Sequence, residues 1–408
     1  MPGWQRNLYI IWVAELVAIA GFSVAMPFLP YYVQELGITD EKQVELWSGL
    51  LFSGQAITMG IFAPIWGSLA DRFGRKLMVE RAMFAGAILM AAMGFARSVQ
   101  ELLLLRILQG CLTGTVAAAT TLVASTAPRQ KAGYSLGLLQ MAIYVGASAG
   151  PMLGGLVADA FGYRAAFWVT GALIFVGGWL VVFFVQEQFQ PVRREGSAAG
   201  DFVRGLKLVL NSKALQSAFA VRLLSRLGDR LLVPLLPLFI ASLLTGGQVA
   251  SIAGLVVGLA AASSAVGAVV LGRVSDRLGQ RRVLIVSTLA AAAFYVPQFF
   301  ATSVAQVALL QAATGLALGG TIASVSAAMA ALAPEGRQGA VYGVDASMVS
   351  AANAVGPMAG ALIAAAAGLR PTFLIVAGIF VLASLGVARL MPESAPSALQ
   401  AEGGPAAS

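Results

Sequence analysis

One charged segment occurs twice in this chain, each time between two long apolar runs. The first copy runs from Gly67 to Lys76 (GSLADRFGRK), and the second begins 205 positions later, at Gly272 (GRVSDRLGQRR). A short charged turn at the same place in both halves of a hydrophobic chain is typical of a duplicated bundle of membrane helices. The repeat therefore predicts two structurally equivalent halves.

Composition places these halves in a lipid bilayer. Hydrophobic residues make up 59% of the 408 residues and charged residues only 11%, too much apolar surface for one soluble core. We therefore predict an all-α integral membrane protein with twelve transmembrane helices in two pseudo-symmetric six-helix bundles. The predicted spans, numbered 1 to 12, are residues 8–34, 46–68, 77–96, 101–125, 134–159, 164–186, 214–243, 249–271, 282–301, 304–332, 339–367 and 370–390.

The repeat extends well beyond the charged turn and sets the domain boundaries. At an offset of 205 to 207, it pairs Pro27 with Pro234, Pro30 with Pro237, Gly150-Pro151 with Gly356-Pro357, and Arg164 with Arg370. We assign 1–186 and 213–391 to the two six-helix bundles. Residues 187–212 form a polar cytoplasmic linker and 392–408 a flexible tail.

The basic residues indicate orientation and not nucleic-acid binding. The net charge is +8, but the basic residues cluster in the even-numbered turns and the central linker. The only basic residues in the odd-numbered turns are Lys42, Arg97, Arg164 and Arg370. The positive-inside rule then predicts cytoplasmic termini. Short loops and the absence of an Asn-x-Ser/Thr sequon favour a multi-pass protein of a bacterial plasma (inner) membrane.

Metal and cofactor chemistry find little support in the sequence. Cys111 is the only cysteine and there is no histidine, so a cysteine cluster and the usual histidine proton carrier are excluded. No nucleotide-binding motif is visible, so we predict no cofactor and an ion gradient as the energy source. Proton chemistry then falls to Asp or Glu.

Three motifs give the chain its resemblance to a known family. They are Gly67 to Lys76 between spans 2 and 3, Arg106-x-x-Gln109-Gly110 in span 4, and Gly146 to Gly155 (GASAGPMLGG) in span 5. With them the chain resembles the major facilitator superfamily, in its drug:proton antiporter group with twelve helices. The resemblance implies transport by alternating access and, from the span 5 motif, exchange of substrate against an ion.

The loop motif also has a direct physical interpretation as a conformational latch. Gly67 and Gly74 allow a tight turn and close helix approach. Asp71 faces the positive N-terminal end of the third span, while Arg72 and Arg75 hold the turn in the cytoplasm. Asp276 and Arg277 are the matching charges of the second copy. The plainer alternative is a basic turn that only fixes orientation.

The span 5 motif predicts a hinge. Gly146, Gly150 and Gly154 share one helix face, so a neighbouring helix can pack closely against it, and Pro151 frees a backbone carbonyl. Gly155 extends the stretch of small residues. Ordinary small-residue packing without a gating role is the alternative.

Ionisable residues inside the spans are the candidates for proton coupling, because charge at membrane depth is costly unless it faces a partner or water. Glu15 is the first choice, and an approach to Arg106 would control its charge. Asp229 and Asp345 are the other candidates. For each carboxylate, a fixed ion pair that only holds helices together is the alternative.

Span 7 adds a basic face to the predicted substrate cavity. Arg222, Arg226 and Arg230 follow one another at four-residue spacing, with Asp229 on the same face. A pocket for simple cations would avoid these arginines, so either they are neutralised as a gate or the substrate carries an anionic or zwitterionic group. Further candidate substrate contacts are Phe22, Met26, Gln109, Gln140, Tyr144, Phe294 and Gln298.

We thus predict a proton-driven exporter of amphipathic drugs or dyes, including fluoroquinolones, that works as a monomer in the lipid bilayer. A dedicated exporter of one metabolite, such as a sugar or siderophore, is the second hypothesis, and the span 7 arginines sustain it. A membrane enzyme or non-transporting receptor is the third, with no catalytic motif in its favour.

Overall fold

A computed structural model describes residues 3–128, 131–187, 198–244, 246–333 and 338–391, without the side chains of 71, 132, 198–203 and 338–340. Within this part the regular elements are α-helices and one short 3-10 turn. The helices are α1 Gly3–Ala25, α2 Leu29–Glu35, α3 Glu41–Phe73, α4 Arg75–Met93, α5 Val99–Leu112, α6 Thr115–Thr126, α7 Ala132–Phe161, α8 Tyr163–Phe184, α9 Ala198–Asn211, α10 Lys213–Leu232, α11 Leu235–Ser242, α12 Val249–Leu278, α13 Gln280–Phe299, α14 Val304–Leu332, α15 Gln338–Ala367 and α16 Leu369–Leu390.

Helices occupy all twelve predicted span positions. Ten helical segments of the described chain are long and apolar enough to cross a membrane. The remaining two positions are α4 and the α10–α11 pair, which carry more charged residues. Within the predicted linker, residues 198–211 form the helix α9. The predicted tail, 392–408, lies outside the described residues.

Helix starts repeat in the two halves together with the motifs. The Ser98 side chain accepts a hydrogen bond from the Glu101 backbone, and Ser303 caps Gln306 in the same way. Glu101 and Gln306 in turn each accept a backbone N–H from the residue before the cap. This reciprocal capping box fixes where α5 and α14 begin.

Three of the predicted spans are broken helices. The first is interrupted by a 3-10 turn at Met26–Phe28 and the seventh between Leu232 and Leu235, next to the repeated prolines. A proline lacks the N–H that a continuous helix needs. The fourth breaks at Gly114, whose φ of +131° favours glycine.

The two halves have the same internal packing. In the N-terminal half α1 packs on α7 and α8, and α4 packs on α8. The equivalent helices of the C-terminal half repeat these contacts, α10 on α15 and α16, and α13 on α16. The halves meet through α3 with α15 and through α7 with α12.

These interfaces close only one side of the molecule. We call the side with the start of α1 and the α3–α4 turn the termini side. On the opposite side the Tyr31 hydroxyl donates to the Pro237 carbonyl, and Ser53 Oγ accepts the Met358 N–H at 3.1 Å. Along α3 the contact with α15 loosens towards the termini side: a methyl group at Gly49 would overlap the Ala361 side chain, one at Gly60 would meet the Ser350 Cβ at 3.9 Å, and one at Gly67 would find no atom within 4 Å. The halves therefore diverge towards the termini side.

Candidate functional site

A cavity of about 530 Å³ lies between the two halves. Its walls come from α1, α3 and α7 on one side and from α10 to α14 on the other. This volume suits a small organic molecule. Both halves of the repeat thus contribute to a single candidate binding site.

The charged residues that line this cavity in the described chain all lie on α10. They are Arg222, Arg226, Asp229 and Arg230. Their spacing of four and eight residues puts the three arginines on one helix face, as the sequence predicted. One wall of the cavity is therefore strongly polar.

Arg222 has an internal partner. Its Nε lies 2.9 Å from one carboxylate oxygen of Asp345, and its Nη2 lies 3.0 Å from the other. This two-point geometry on α15 ties α10 to α15 and neutralises the guanidinium. Asp345 is thereby placed in an ion pair and not on the cavity wall.

Arg226 and Arg230 are less well paired. Arg230 Nε lies 3.9 Å from the carboxylate of Asp229, too far for a hydrogen bond. Arg226 lies within electrostatic range of Arg222, Asp229, Arg230 and Tyr144. Its Nε has no hydrogen-bond partner among the described residues. Positive charge is thus in excess on this wall.

The other walls are mainly apolar and aromatic. Met26, Gln140 and Tyr144 line the cavity as the sequence predicted. The predicted Phe294 and Gln298 do not, and Tyr295 faces the cavity on the same helix, α13.

Gln298 is instead buried in an amide cluster behind this wall. It accepts from Gln311 at 3.0 Å and donates to Thr314 at 3.2 Å. Phe22 also lies away from the cavity, with its ring beside Gly86 of α4. These residues therefore shape the walls from behind.

Arg106 is buried behind the cavity wall with only 2% of its surface exposed. It donates to Gln109 Oε1 at 2.6 Å and to the Leu51 carbonyl at 3.3 Å, and its guanidinium lies over the Phe52 ring. Its Nη1 also touches Met26 Sδ at 3.4 Å. Arg106 and Gln109 therefore support the lining residues Met26 and Phe52.

Glu15 is fully buried, and neither carboxylate oxygen has a hydrogen-bond partner among the described residues. Arg106 contacts Met26, which is eleven positions from Glu15. At about 1.5 Å per residue, the backbones of Glu15 and Met26 are about 16 Å apart along α1 and the turn that follows it, and no hydrogen bond joins Glu15 to Arg106. The predicted approach of Glu15 to Arg106 is thus absent from this conformation.

The loop motif contains a partner that the sequence analysis missed. Gly74, with φ of +105°, ends α3, and both carboxylate oxygens of Glu187 accept the first backbone N–H groups of α4, those of Arg75 and Lys76, at 3.1 and 2.8 Å. An anion at this end complements the helix dipole. The side chain of Asp71, predicted for this role, lies outside the described residues.

The remaining loop residues are solvent-facing or structural. Gly67 lies inside α3 and makes no turn, which differs from the expectation. Arg72, Asp276 and Arg277 are exposed. A basic side chain after each turn nevertheless ties the loop to the last helix of its half, Lys76 to the Val182 carbonyl and Arg281 to the Ala388 carbonyl.

The glycines of the span 5 motif serve two different contacts. A methyl group at Gly146, Gly150 or Gly154 would overlap or crowd the backbone of α1 in the same half. A methyl group at Gly155 would overlap α12, and Gly254 of α12 packs equally closely on the Pro151 carbonyl. Pro151 and Gly155 therefore belong to the contact between the halves, and Gly154 to the contact inside one half.

Asp159 closes the same interface on the opposite side. Its two carboxylate oxygens accept the backbone N–H groups of Ala250 and Ser251 at 3.2 and 2.7 Å. These donors are at the N-terminal end of α12, in the other half. Asp159 thus caps a helix across the boundary between the halves.

We expect Asp159→Ala to weaken closure of the opposite side by about 10-fold, because two charge-assisted hydrogen bonds are lost. The distance between spin labels at Lys42 and Ala366, with Cys111 replaced by alanine, measures this opening. Asp40→Ala is the matched control, since Asp40 caps α3 without crossing between the halves. A distance distribution that is unchanged from the parent protein would contradict the prediction.

Comparison with known proteins identifies the family. The sequence profile described as "Major Facilitator Superfamily" matches residues 11–225 and 218–407. The chain is 34% identical to multidrug resistance protein MdtG of Salmonella arizonae over 92% of this chain and 93% of that protein. It is 35% identical to MdtG of Citrobacter koseri over 92% of each chain.

Solved structures show the same fold. A bacterial homologue of the human lysosomal transporter Spinster, crystallised inward-facing and unoccupied, aligns with a TM-score of 0.76 at 18% identity over 97% of this chain and 100% of that one. The human organic anion transporter MFSD10 (TETRAN) aligns with a TM-score of 0.69 at 19% identity over 95% and 100%.

Proposed function

Because this chain belongs to the Major Facilitator Superfamily, we propose that it exports amphipathic drugs or dyes, including fluoroquinolones, in exchange for protons. The protein is a membrane transporter and not an enzyme. One observation carries the proposal further: a cavity of about 530 Å³, walled by apolar and aromatic side chains, lies between two repeated halves. The relatives named for multidrug resistance support drugs as cargo.

We place the protein in a bacterial inner membrane with twelve spans and cytoplasmic termini. The basic turns of the termini side support this orientation through the positive-inside rule. The cavity then opens towards the cytoplasm and is ready to receive cargo from it. Since both halves of one chain complete the cavity, we propose a monomer as the working unit.

We assign alternating access to rocking of the two halves. The closed side rests on backbone contacts and on helix capping by Asp159, which separate without unfolding either half. Cargo is released when this side opens and the termini side closes. The protein needs no cofactor in this cycle, because the proton gradient supplies the energy.

Glu15 is the carboxylate that we assign to proton exchange. Asp345 is engaged by Arg222, and Asp229 lies among arginines, so both suit fixed ion pairs better. Glu15 has no hydrogen-bond partner among the described residues. An isolated charge at membrane depth costs several kcal/mol, so binding and release of a proton at Glu15 would couple strongly to a change of conformation.

We expect Glu15→Gln to abolish proton-driven export, because glutamine cannot bind and release the exchanged proton. Efflux of ethidium and norfloxacin from cells without their own pumps, with and without a protonophore, measures this. The intact protein should lose export with the protonophore, and the variant should export at least about 10-fold more slowly at any pH.

Glu101→Gln is the matched control. It removes a carboxylate from the same half but keeps the capping box, in which Gln306 already has this role in the repeat. Unchanged pH dependence in Glu15→Gln would move the proton to Asp229 or Asp345. Export that resists the protonophore in the intact protein would refute proton exchange altogether.

A dedicated exporter of one metabolite, such as a sugar or siderophore, is the second candidate. The excess of arginine on α10 favours it, since a broad cation pump would not need this charge. No export of either drug by a protein shown to be in the membrane would favour this alternative.

A further inference from the structure

We propose that Arg226 binds an anionic group of the substrate, so that amphipathic carboxylates, including zwitterions, are the preferred cargo. This inference rests on the proposed function and adds the substrate class to it. It comes from the distribution of charge around the cavity and from the position of Arg226 on its wall.

The three arginines of α10 differ in how closely a carboxylate approaches them. Arg222 is held at two points by Asp345, at 2.9 and 3.0 Å. Arg230 has the nearby but more distant carboxylate of Asp229, at 3.9 Å. Arg226 forms no salt bridge with a described carboxylate: Asp229 lies within electrostatic range but is shared with Arg230, and Arg226 Nε has no hydrogen-bond partner in the described chain.

The wall that faces α10 belongs to the N-terminal half. The N-terminal-half residues that line the cavity in the described chain are all uncharged, and the polar ones among them are Ser23, Gln140 and Tyr144. No acidic side chain therefore reaches Arg226 across the cavity from these residues. When the halves close over the cargo, an unneutralised guanidinium would lose its water without gaining a counter-charge.

A carboxylate on the cargo resolves this problem. The planar guanidinium presents paired N–H donors that match the two oxygens of a carboxylate, and the pair strengthens as water leaves the site. The Met26, Phe52 and Tyr295 side chains offer apolar contact to the rest of an amphipathic molecule. Closure around a bound anion is then favoured over closure of the empty cavity, which couples transport to occupancy.

Norfloxacin and its methyl ester test this proposal, because the ester keeps the rings and the amine but lacks the carboxylate. Binding of each to the intact protein in lipid nanodiscs, with empty nanodiscs subtracted, gives the two dissociation constants. We expect the intact protein to bind norfloxacin about 10-fold more tightly than the ester. In Arg226→Gln this preference should disappear, with ester binding unchanged.

Two further variants serve as controls for Arg226→Gln. Arg389→Gln removes an exposed arginine of α16 that does not line the cavity and should leave both constants unchanged. Arg226→Lys keeps the charge but loses the planar pair of donors, so it should retain part of the preference even if Arg226→Gln fails to fold.

The results also separate this proposal from the proposed function. Equal binding of the two probes by the intact protein, no binding of norfloxacin, or equal loss of both probes in Arg226→Gln would overturn the role of Arg226. If ethidium is still exported in a protonophore-sensitive manner in that case, drug:proton exchange stands and only the anionic substrate class fails.

Discussion

Gly254→Ala should abolish transport while leaving the protein folded in the membrane. The added methyl group would overlap the carbonyl oxygen of Pro151 in the other half, so α7 and α12 could not approach on the opposite side. Overpacking of this kind typically costs about 1–3 kcal/mol, and here the obstacle is backbone. We expect the closed state of this side to become about 10- to 100-fold less populated. Spin labels at Lys42 and Ala366 report it as a longer distance, and drug efflux reports it as lost export.

Gly272→Ala is the control on the same helix. A methyl group there would meet the Ala323 Cβ at 3.4 Å, an ordinary contact, so transport and label distance should stay normal. The central role of the α7–α12 contact would be disproved if Gly254→Ala exported drug at the parental rate. Reduced amounts of protein in the membrane, in place of an altered distance, would assign Gly254 to folding.

The fold was predictable because each span must satisfy its own backbone hydrogen bonds in lipid and therefore forms a helix. The repeated prolines served only to align the two halves, and the structure shows breaks in spans 1 and 7 beside them. The break at Gly114 was not predictable. With 46 glycines in the chain, one more inside an apolar run carries no distinct signal, and only the φ of +131° identifies it.

The cavity was harder to predict than the helices. The charged residues identified the cavity-facing side of α10, because ionisable residues must avoid lipid. Apolar lining residues give no such signal, since membrane helices are hydrophobic on every face. Choosing Phe294 over Tyr295 on α13 is an error of one residue, which turns the side chain by about 100° around the helix. Sequence spacing alone cannot correct it.

The hydrogen-bond partners of the charged residues were the least predictable feature. Glu15 was identifiable as costly and interior, yet its lack of a hydrogen-bond partner depends on where the other helices lie. Glu187 and Asp159 each bind the N-terminal end of a distant helix, and neither belongs to a motif of its own. Such contacts are properties of the packing, because the N–H donors are backbone groups that every sequence contains.

Gly154→Ala should lower the folding stability of the protein, in contrast to Gly254→Ala. A methyl group at Gly154 would overlap the Val24 carbonyl of α1, and the repeat places Gly360 against the Leu231 carbonyl in the same way. Both contacts lie inside one half, so their loss destabilises a six-helix unit and not the contact between units. A penalty of about 1–3 kcal/mol should lower both the membrane yield and the temperature of unfolding in detergent.

Gly137→Ala provides the comparison for Gly154→Ala, because it lies on the same helix and a methyl group there has no atom within 4 Å. It should leave yield and unfolding temperature unchanged or slightly raised, since alanine favours helix more than glycine does. A Gly154→Ala protein of normal yield and stability that no longer transports would show that α1 and α7 move against each other. The span 5 glycines would then form the hinge that their spacing predicted, and alternating access would include motion within a half.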